Sequence, residues 1–236
     1  IAPREKADAE LDVYKGTADA ITQNIDFIDT YNPEYLLVLS GDHIYKMNYA
    51  KMLDYHKERK SDATMAVIGV PMKEASRFGI MNADEKDKIY EFEEKPKNPK
   101  STQASMGVYI FSTDKLIKYL VEDEQDENSS NDFGKNIIPK MLDQGERMFA
   151  YLYKGYWRDV GTLGSYWEAN MELIDLIPEF NLYEEFWKIY TSQTIIEPQF
   201  IGPGATISKA IIGAGDVVAG EVTGSVLGAG GEIGEG

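Results

Sequence analysis

The sequence predicts an α/β protein, a mainly parallel sheet covered by helices on both faces, followed by a left-handed parallel β-helix. Three observations carry this. Short apolar runs such as Tyr35-Leu36-Leu37-Val38-Leu39 alternate with stretches whose apolar residues recur at helical spacing. An acidic residue, Asp42, lies three positions beyond the end of that run, where open α/β folds place their ligands. From Phe200 onward glycine becomes frequent, and aliphatic residues recur six apart, as in Ile201/Ile207, Ile212/Val218 and Leu227/Ile233.

The elements follow in order. Ile21, Ile25 and Ile28 mark a helix over residues 17–31, with Gly16 before it and Pro33 after. Residues 35–39 read as a buried strand. Asn48 is placed to cap a helix that carries Met52, Leu53 and His56 on one face. Residues 62–70 form a strand ended by Pro71. Residues 78–82 and 89–93 form a hairpin around a polar turn at 84–87. Residues 105–111 are another strand, and helices are expected at 113–121, 133–142 and 163–176. The domain reading is 1–180 for the α/β domain, 181–199 for a connector and 200–236 for a partial β-helix, with Ile201, Ile207, Ile212 and Val218 facing inward.

The chain has 236 residues, enough for a full core. Lys plus Arg number 24 against 40 Asp plus Glu, a formal charge of −16, which argues against nucleic-acid and anionic-membrane partners. A few local cations and a metal can still receive a phosphorylated ligand. There is no cysteine, as suits a reducing cytoplasm, and no apolar stretch of membrane-spanning length or secretory leader. The chain begins at Ile1 rather than Met, which suggests a processed or shortened product.

The chemistry centres on two aspartates. Mg²⁺ favours one or two carboxylates plus substrate oxygens. Asp42, in Leu39-Ser40-Gly41-Asp42-His43-Ile44-Tyr45, and Asp159, in Tyr156-Trp157-Arg158-Asp159-Val160-Gly161-Thr162, could converge on one such ion. Either alone reads more simply as a helix cap or turn former. His43 has only one other histidine in the chain and no cluster to support a ligand role, so it reads as a positioning or nucleotide-contacting residue. The methionines read as core.

Six runs occur in order: Tyr14-Lys15-Gly16-Thr17-Ala18-Asp19-Ala20, the Asp42 run, Glu93-Glu94-Lys95-Pro96, Ala104-Ser105-Met106-Gly107, Asn131-Asp132-Phe133-Gly134-Lys135 and the Asp159 run. This series resembles the bacterial glucose-1-phosphate adenylyltransferases (ADP-glucose pyrophosphorylases) over nearly the whole chain. The resemblance implies a Rossmann-like catalytic domain that transfers adenylyl from ATP to glucose 1-phosphate with Mg²⁺, in a cytoplasmic homo-tetramer regulated by sugar phosphates. It implies catalytic, metal-holding roles for Asp42 and Asp159. It implies glucose 1-phosphate contacts from Tyr14, Gly79, Glu94, Lys95, Ser105, Asp132, Phe133 and Trp157. These enzymes carry an N-terminal strand and a Gly- and Arg-containing nucleotide loop that nothing here matches, and Val13 stands where they usually have Trp.

Each role has a plainer competitor. Lys95 could be a solvated lysine, although its compact charge suits a sugar phosphate. Glu94 could be a solvated strand end, Gly79 a bulge, Ser105 a structural serine and Asp132 the cap of a helix starting at Phe133. Two other functions compete: another sugar-1-phosphate nucleotidyltransferase, and a non-catalytic regulatory subunit of the same family. The retained Asp42, Asp159 and Lys95 weigh against the second. A hexapeptide acyltransferase is rejected, because both histidines precede the solenoid.

Overall fold

The computed structural model describes residues 14–192 and 195–235. Val13 and the residues before it lie outside the described residues. By contacts the chain divides into two compact units, one of residues 14–40 and 47–154, the other of residues 41–46 and 155–235. That division differs from the sequence reading, which drew a boundary at 180 and kept Asp42 with the residues around it.

The first unit is built on a six-stranded sheet. Its strands are β1 (Tyr35–Leu39), β3 (Ala63–Gly69), β4 (Gly79–Ala83), β5 (Ile89–Glu94), β6 (Gln103–Ser112) and β7 (Met148–Leu152). The order is β5-β4-β6-β3-β7, and β1 pairs with the second half of β6. The expected mainly parallel sheet is corrected here. Strand β6 runs antiparallel to β1, β3 and β4, β4 runs antiparallel to β5, and β3–β7 is the parallel pair among the described strands of this sheet. Consecutive residues of the long β6 are buried along most of its length, so both of its faces are covered.

Strand β1 appears where the sequence puts it but is not buried throughout. Leu36 and Val38 pack on the core, whereas Leu37 and Leu39 are more than 40% exposed. The pleat turns alternate residues to opposite faces, and one face of β1 is uncovered among the described residues.

The expected helix over 17–31 is two short ones, α1 (Asp19–Thr22) and α2 (Ile25–Asp29). The break falls at Asn24, whose amide donates to the Ala20 carbonyl and the Tyr14 hydroxyl. Such side-chain bonds compete with the helical ladder. Helix α3 (Tyr49–Arg59) is capped by Asn48, whose Oδ1 accepts from the Ala50 and Lys51 N–H groups. Its Met52 and His56 are buried. After the one-turn α4 (Met72–Ala75) and the β4–β5 hairpin, α5 (Thr113–Glu124) packs Leu116, Tyr119 and Leu120 into the core with Met65, Met81, Phe111 and Met148.

The expected helix over 133–142 begins as a π-helical turn, Phe133–Ile137, and continues as α6 (Ile138–Asp143). The Asp132 carbonyl accepts from both the Asn136 and Ile137 N–H groups. Pro139 lies at the start of α6 and has no N–H to offer the Lys135 carbonyl, so the ladder is irregular where the π turn sits.

Gly16 shows how tightly the 16–19 segment docks on residues 130–133. A Cβ there would strike the backbone carbonyl oxygens of Ser130 and Asn131 and lie 2.8 Å from the Asn131 carbonyl carbon. Backbone cannot rotate out of the way as a side chain can. Gly16→Ala is therefore expected to destabilise the fold by about 1–3 kcal/mol, read as a lower midpoint in denaturant.

His56 makes the fold pH-sensitive. It is 1% exposed between the Thr64 hydroxyl (2.8 Å) and the Ser112 hydroxyl (3.4 Å). Burial lowers its pKa from 6.5 to about 4; Asp62 opposes the shift, and Arg147 and Lys57 add to it. Between pH 6.5 and about 4 the unfolded chain takes up a proton that the folded one refuses. Stability from this group is complete above pH 6.5 and falls as the pH drops towards about 4. The expected result is a melting temperature that declines through this window, with a shallower decline in His56→Gln. Equal slopes would show that His56 is not the titrating group.

The second unit pairs β2 (His43–Tyr45) antiparallel with β8 (Trp157–Asp159), and α7 (Leu163–Glu172) follows. Thr162 and Ser165 form a capping box at the start of α7. Glu172, near its end, accepts from the Tyr156 hydroxyl (2.6 Å) and pairs with Arg158, which ties α7 to β8. Lys46 donates to the Asn181 carbonyl (2.7 Å) and pairs with Glu184 (2.9 Å), fixing the end of β2 to the segment after α7.

Beyond Gln199, β9 (Phe200–Ile201), β11 (Val217–Val218) and β13 (Glu232–Ile233) make one parallel sheet, and β10 (Thr206–Ile211) and β12 (Glu221–Val226) make another. Buried Asp216 bridges successive turns by accepting from the Gly213 N–H (2.8 Å) and the Gly231 N–H (2.6 Å). Val218 and Val222 are buried, and Ile212 is half-buried. Ile201 and Ile207, expected to face inward, are 43% and 39% exposed. They belong to β9 and β10, each paired along one edge only among the described residues, so nothing covers them from the far side.

Candidate active site

Asp42 and Asp159 are 117 positions apart in sequence yet share one small ribbon. The β2–β8 register sets His43 opposite Asp159, and the Val160 N–H donates to the Asp42 carbonyl at 3.1 Å. Gly161 sits between the two side chains. A Cβ on it would lie 3.0 Å from Asp159 Oδ1 and 3.5 Å from Asp42 Oδ2. The two carboxylates are therefore separated by no more than the sum of those distances. Asp159 Oδ1 accepts from the Gly161 N–H at 2.9 Å, and Asp42 Oδ1 lies 3.6 Å from His43 Nε2. The His43 ring meets Trp157 edge-on at 5.3 Å. Asp42 is well exposed, so its oxygens are open to a ligand.

Among the described residues no three His, Cys, Asp or Glu side chains cluster as a closed metal cage. Two carboxylates with open positions fit a hard divalent cation that completes its shell with water and phosphate oxygens. Asp42 and Asp159 are the residues that could hold it. Gly161 was not singled out from the sequence. Its signal was its place two residues after Asp159, where a side chain would fill the space between the acids.

A second constellation lies in the first unit. Gly79 and Glu94 are cross-strand partners at the end of the β4–β5 hairpin, and the antiparallel β4–β6 register carries Ser105 beside Gly79. The Glu94 carboxylate occupies a slot between two glycines. A Cβ on Gly79 would lie 2.8 Å from its Oε2, and one on Gly134 would collide with the same oxygen. Burial raises the pKa of Glu94; the Lys95 charge opposes this and the Asp132 charge adds to it.

Lys95 ends the hairpin with φ +48°, a left-handed conformation unusual outside glycine, held by its N–H donating to the Phe78 carbonyl (3.1 Å). Its ammonium lies 3.8 Å from Glu94 Oε1 and is largely exposed. A residue held in a sparsely populated backbone region with an exposed cationic head has the character of a functional site.

Asp132 is the cap it could have been. Its Oδ1 accepts from the Lys135 N–H (3.0 Å), and its Oδ2 accepts from the Thr17 hydroxyl (3.1 Å). Each oxygen retains a lone pair for a ligand. Phe133 departs from expectation. It is 4% exposed and stacks on Phe111 at 5.7 Å, so its ring belongs to the core rather than to a ligand face. Its position after a capping Asp at the start of an apolar helical run carried that alternative.

Ser105 bonds the Tyr109 hydroxyl at 3.1 Å. Burial pushes the Tyr109 pKa up to about 12; the Ser105 bond opposes the rise, and the Glu94 and Asp132 charges add to it. Tyr109 thus joins the cluster, four residues past Ser105, and the sequence reading missed it. Tyr14, in the same unit, has its hydroxyl held by Asn24 (3.2 Å). Trp157 belongs to the second unit with the two aspartates, on β8 opposite Tyr45.

Residues 3–175 match the nucleotidyl transferase family. Among curated relatives, proteins named glucose-1-phosphate adenylyltransferase are similar to this chain in Clostridium beijerinckii (60% identity, covering 94% of this chain and 58% of that protein) and in Clostridium perfringens strain 13 (57%, 100% and 60%). The namesake from Acetivibrio thermocellus is 56% identical over 94% of this chain and 52% of its own length. The chain thus spans little more than half the length of the curated relatives it matches. Its match over most of its length, around two aspartates gathered on one ribbon, assigns it: the chain belongs to the nucleotidyl transferase family.

Proposed function

We propose that the protein transfers an adenylyl group from ATP to α-D-glucose 1-phosphate, giving ADP-glucose and pyrophosphate for bacterial glycogen synthesis. The observation that carries this is the approach of Asp42 and Asp159 to one point beside Gly161. The names of the relatives supply the substrates.

In this reading a phosphate oxygen of glucose 1-phosphate attacks the α-phosphorus of ATP, and the bond to pyrophosphate breaks. The sugar phosphate is already ionised, so alignment and charge neutralisation are the main tasks. Asp42 and Asp159 hold Mg²⁺, which when bound would neutralise charge on the transferring phosphoryl group. Lys95 receives the sugar phosphate, while Glu94, Ser105 and Asp132 accept or exchange hydrogen bonds with sugar hydroxyls. Gly79 keeps room beside Glu94, and Tyr14 in the first unit and Trp157 in the second each supply a substrate contact in this reading. Phe133 contributes from behind, by packing.

The same proposal extends to organisation. A catalytic domain over 1–180 and a connector over 181–199 lead into left-handed β-helix turns over 200–236. The parallel strand pairs after Gln199 and the Asp216 bridge between turns support that solenoid. The protein works in the cytoplasm as a homo-oligomer; no helix among the described residues is long and apolar enough to cross a membrane.

The test is product formation by the purified full-length protein with Mg²⁺, ATP and glucose 1-phosphate, with UTP, dTTP and mannose 1-phosphate as alternatives. ADP-glucose is the expected main product. A preference for another pair would make it a different sugar nucleotidyltransferase, and no product from any pair would favour a regulatory subunit.

A further inference from the structure

We infer that Thr17 and Gly134 are positioning residues for the acceptor sugar, setting the two carboxylates, Glu94 and Asp132, that face its hydroxyls. This rests on the adenylyl-transfer reading above.

Thr17 uses one hydroxyl twice: it donates to Asp132 Oδ2 and accepts from the Phe133 N–H, each at 3.1 Å. The neighbouring Ala18 N–H donates to the Asn131 carbonyl at 2.8 Å. The turn that carries Asp132 and Gly134 is thereby fixed to the 16–19 segment, 115 positions away along the chain.

Gly134 is buried, and its backbone does not occupy the left-handed region, so alanine would suit its dihedral angles. What glycine supplies there is space. An added Cβ would collide with Glu94 Oε2 and sit 2.8 Å from Glu94 Cδ. On the opposite wall a Cβ at Gly79 would meet the same oxygen and the Phe92 ring (2.6 Å), so the carboxylate cannot retreat that way. Any side chain at 134 must turn the Glu94 carboxylate out of its slot. The Asp132 charge adds to the rise of the Glu94 pKa, which puts the two carboxylates in one electrostatic neighbourhood. A polyhydroxylated ring accepted by both carboxylates would lose hydrogen bonds when either is displaced, whereas a substrate that does not touch them would not.

The experiment compares Thr17→Val, Thr17→Ser and Gly134→Ala in the full-length protein, measuring kcat, the KM of each substrate and the melting temperature. Thr17→Val and Gly134→Ala are expected to raise the KM for glucose 1-phosphate about tenfold, the effect of roughly one lost hydrogen bond to a charged group. The KM for ATP should stay within about twofold, and Thr17→Ser should restore the wild-type value. If the KM values of both substrates rise together, or only the melting temperature moves, the junction is structural and the inference fails. Serine performing no better than valine would also overturn the role of the hydroxyl. Absence of wild-type turnover with ATP and glucose 1-phosphate would remove the adenylyl-transfer reading and this inference with it. Wild-type turnover with unmoved KM values would sink this inference alone.

Discussion

Asp42→Asn in the full-length protein is expected to lower kcat roughly a hundredfold or more while leaving the KM for glucose 1-phosphate within about threefold. The substitution preserves the size of the side chain and replaces one anionic oxygen of the pair beside Gly161 with a neutral donor. Charge that grows on the phosphoryl group in the transition state loses its counterweight, so the cost falls on kcat rather than on ground-state binding. Asp42 is exposed, so the melting temperature should barely move. A readout independent of turnover is the affinity for Mn²⁺ as a probe of the same site, which should weaken in Asp42→Asn and in Asp159→Asn alike. An unchanged kcat, or a loss confined to KM, would contradict the metal-holding role of the pair.

Lys95→Ala should act on the other side of the reaction. One charge-assisted contact to a phosphate corresponds to about a ten- to hundredfold change in affinity. The KM for glucose 1-phosphate should rise by that factor, the KM for ATP should stay nearly constant, and kcat should fall little, because the contact exists in ground and transition states alike. The backbone at Lys95 is left-handed, so a second variant, Lys95→Gly, separates charge from conformation. Both variants should lose the same affinity, with glycine the more stable protein. A loss in alanine that glycine rescues would mean that the turn, not the ammonium, is what matters. An equal rise for both substrates would assign Lys95 to the fold or to pyrophosphate.

The candidate site was legible in the sequence to different depths. Asp42 and Asp159 stood out because each closes a short run with a distinctive neighbourhood, and both lie on the β2–β8 ribbon. Lys95 and Glu94 stood out in the same way. Tyr109, Thr17, Gly134 and Gly161 did not, because their roles are to support another side chain or to leave space for one. That kind of role exists only once a distant residue arrives. The environment of Phe133 was hidden for the same reason: an aromatic beside a carboxylate looks alike whether its ring faces a sugar or, as here, Tyr109 and Phe111.

Taken alone, the sequence determined what depends on near neighbours along the chain. The Asn48 cap of α3, the β4–β5 hairpin around its polar turn, and the strands β1, β3 and β6 follow from periodicity, capping and turn chemistry, which act over a few residues. The tertiary structure alone decided the antiparallel placement of β6 between β4, β3 and β1, the passage of Gly41–Lys46 into the second unit, and the meeting of residues 16–19 with 130–133. An apolar strand pattern states which face is buried but not the direction or identity of its partner. Those follow from long-range hydrogen bonding and packing, whose terms no local window of sequence contains.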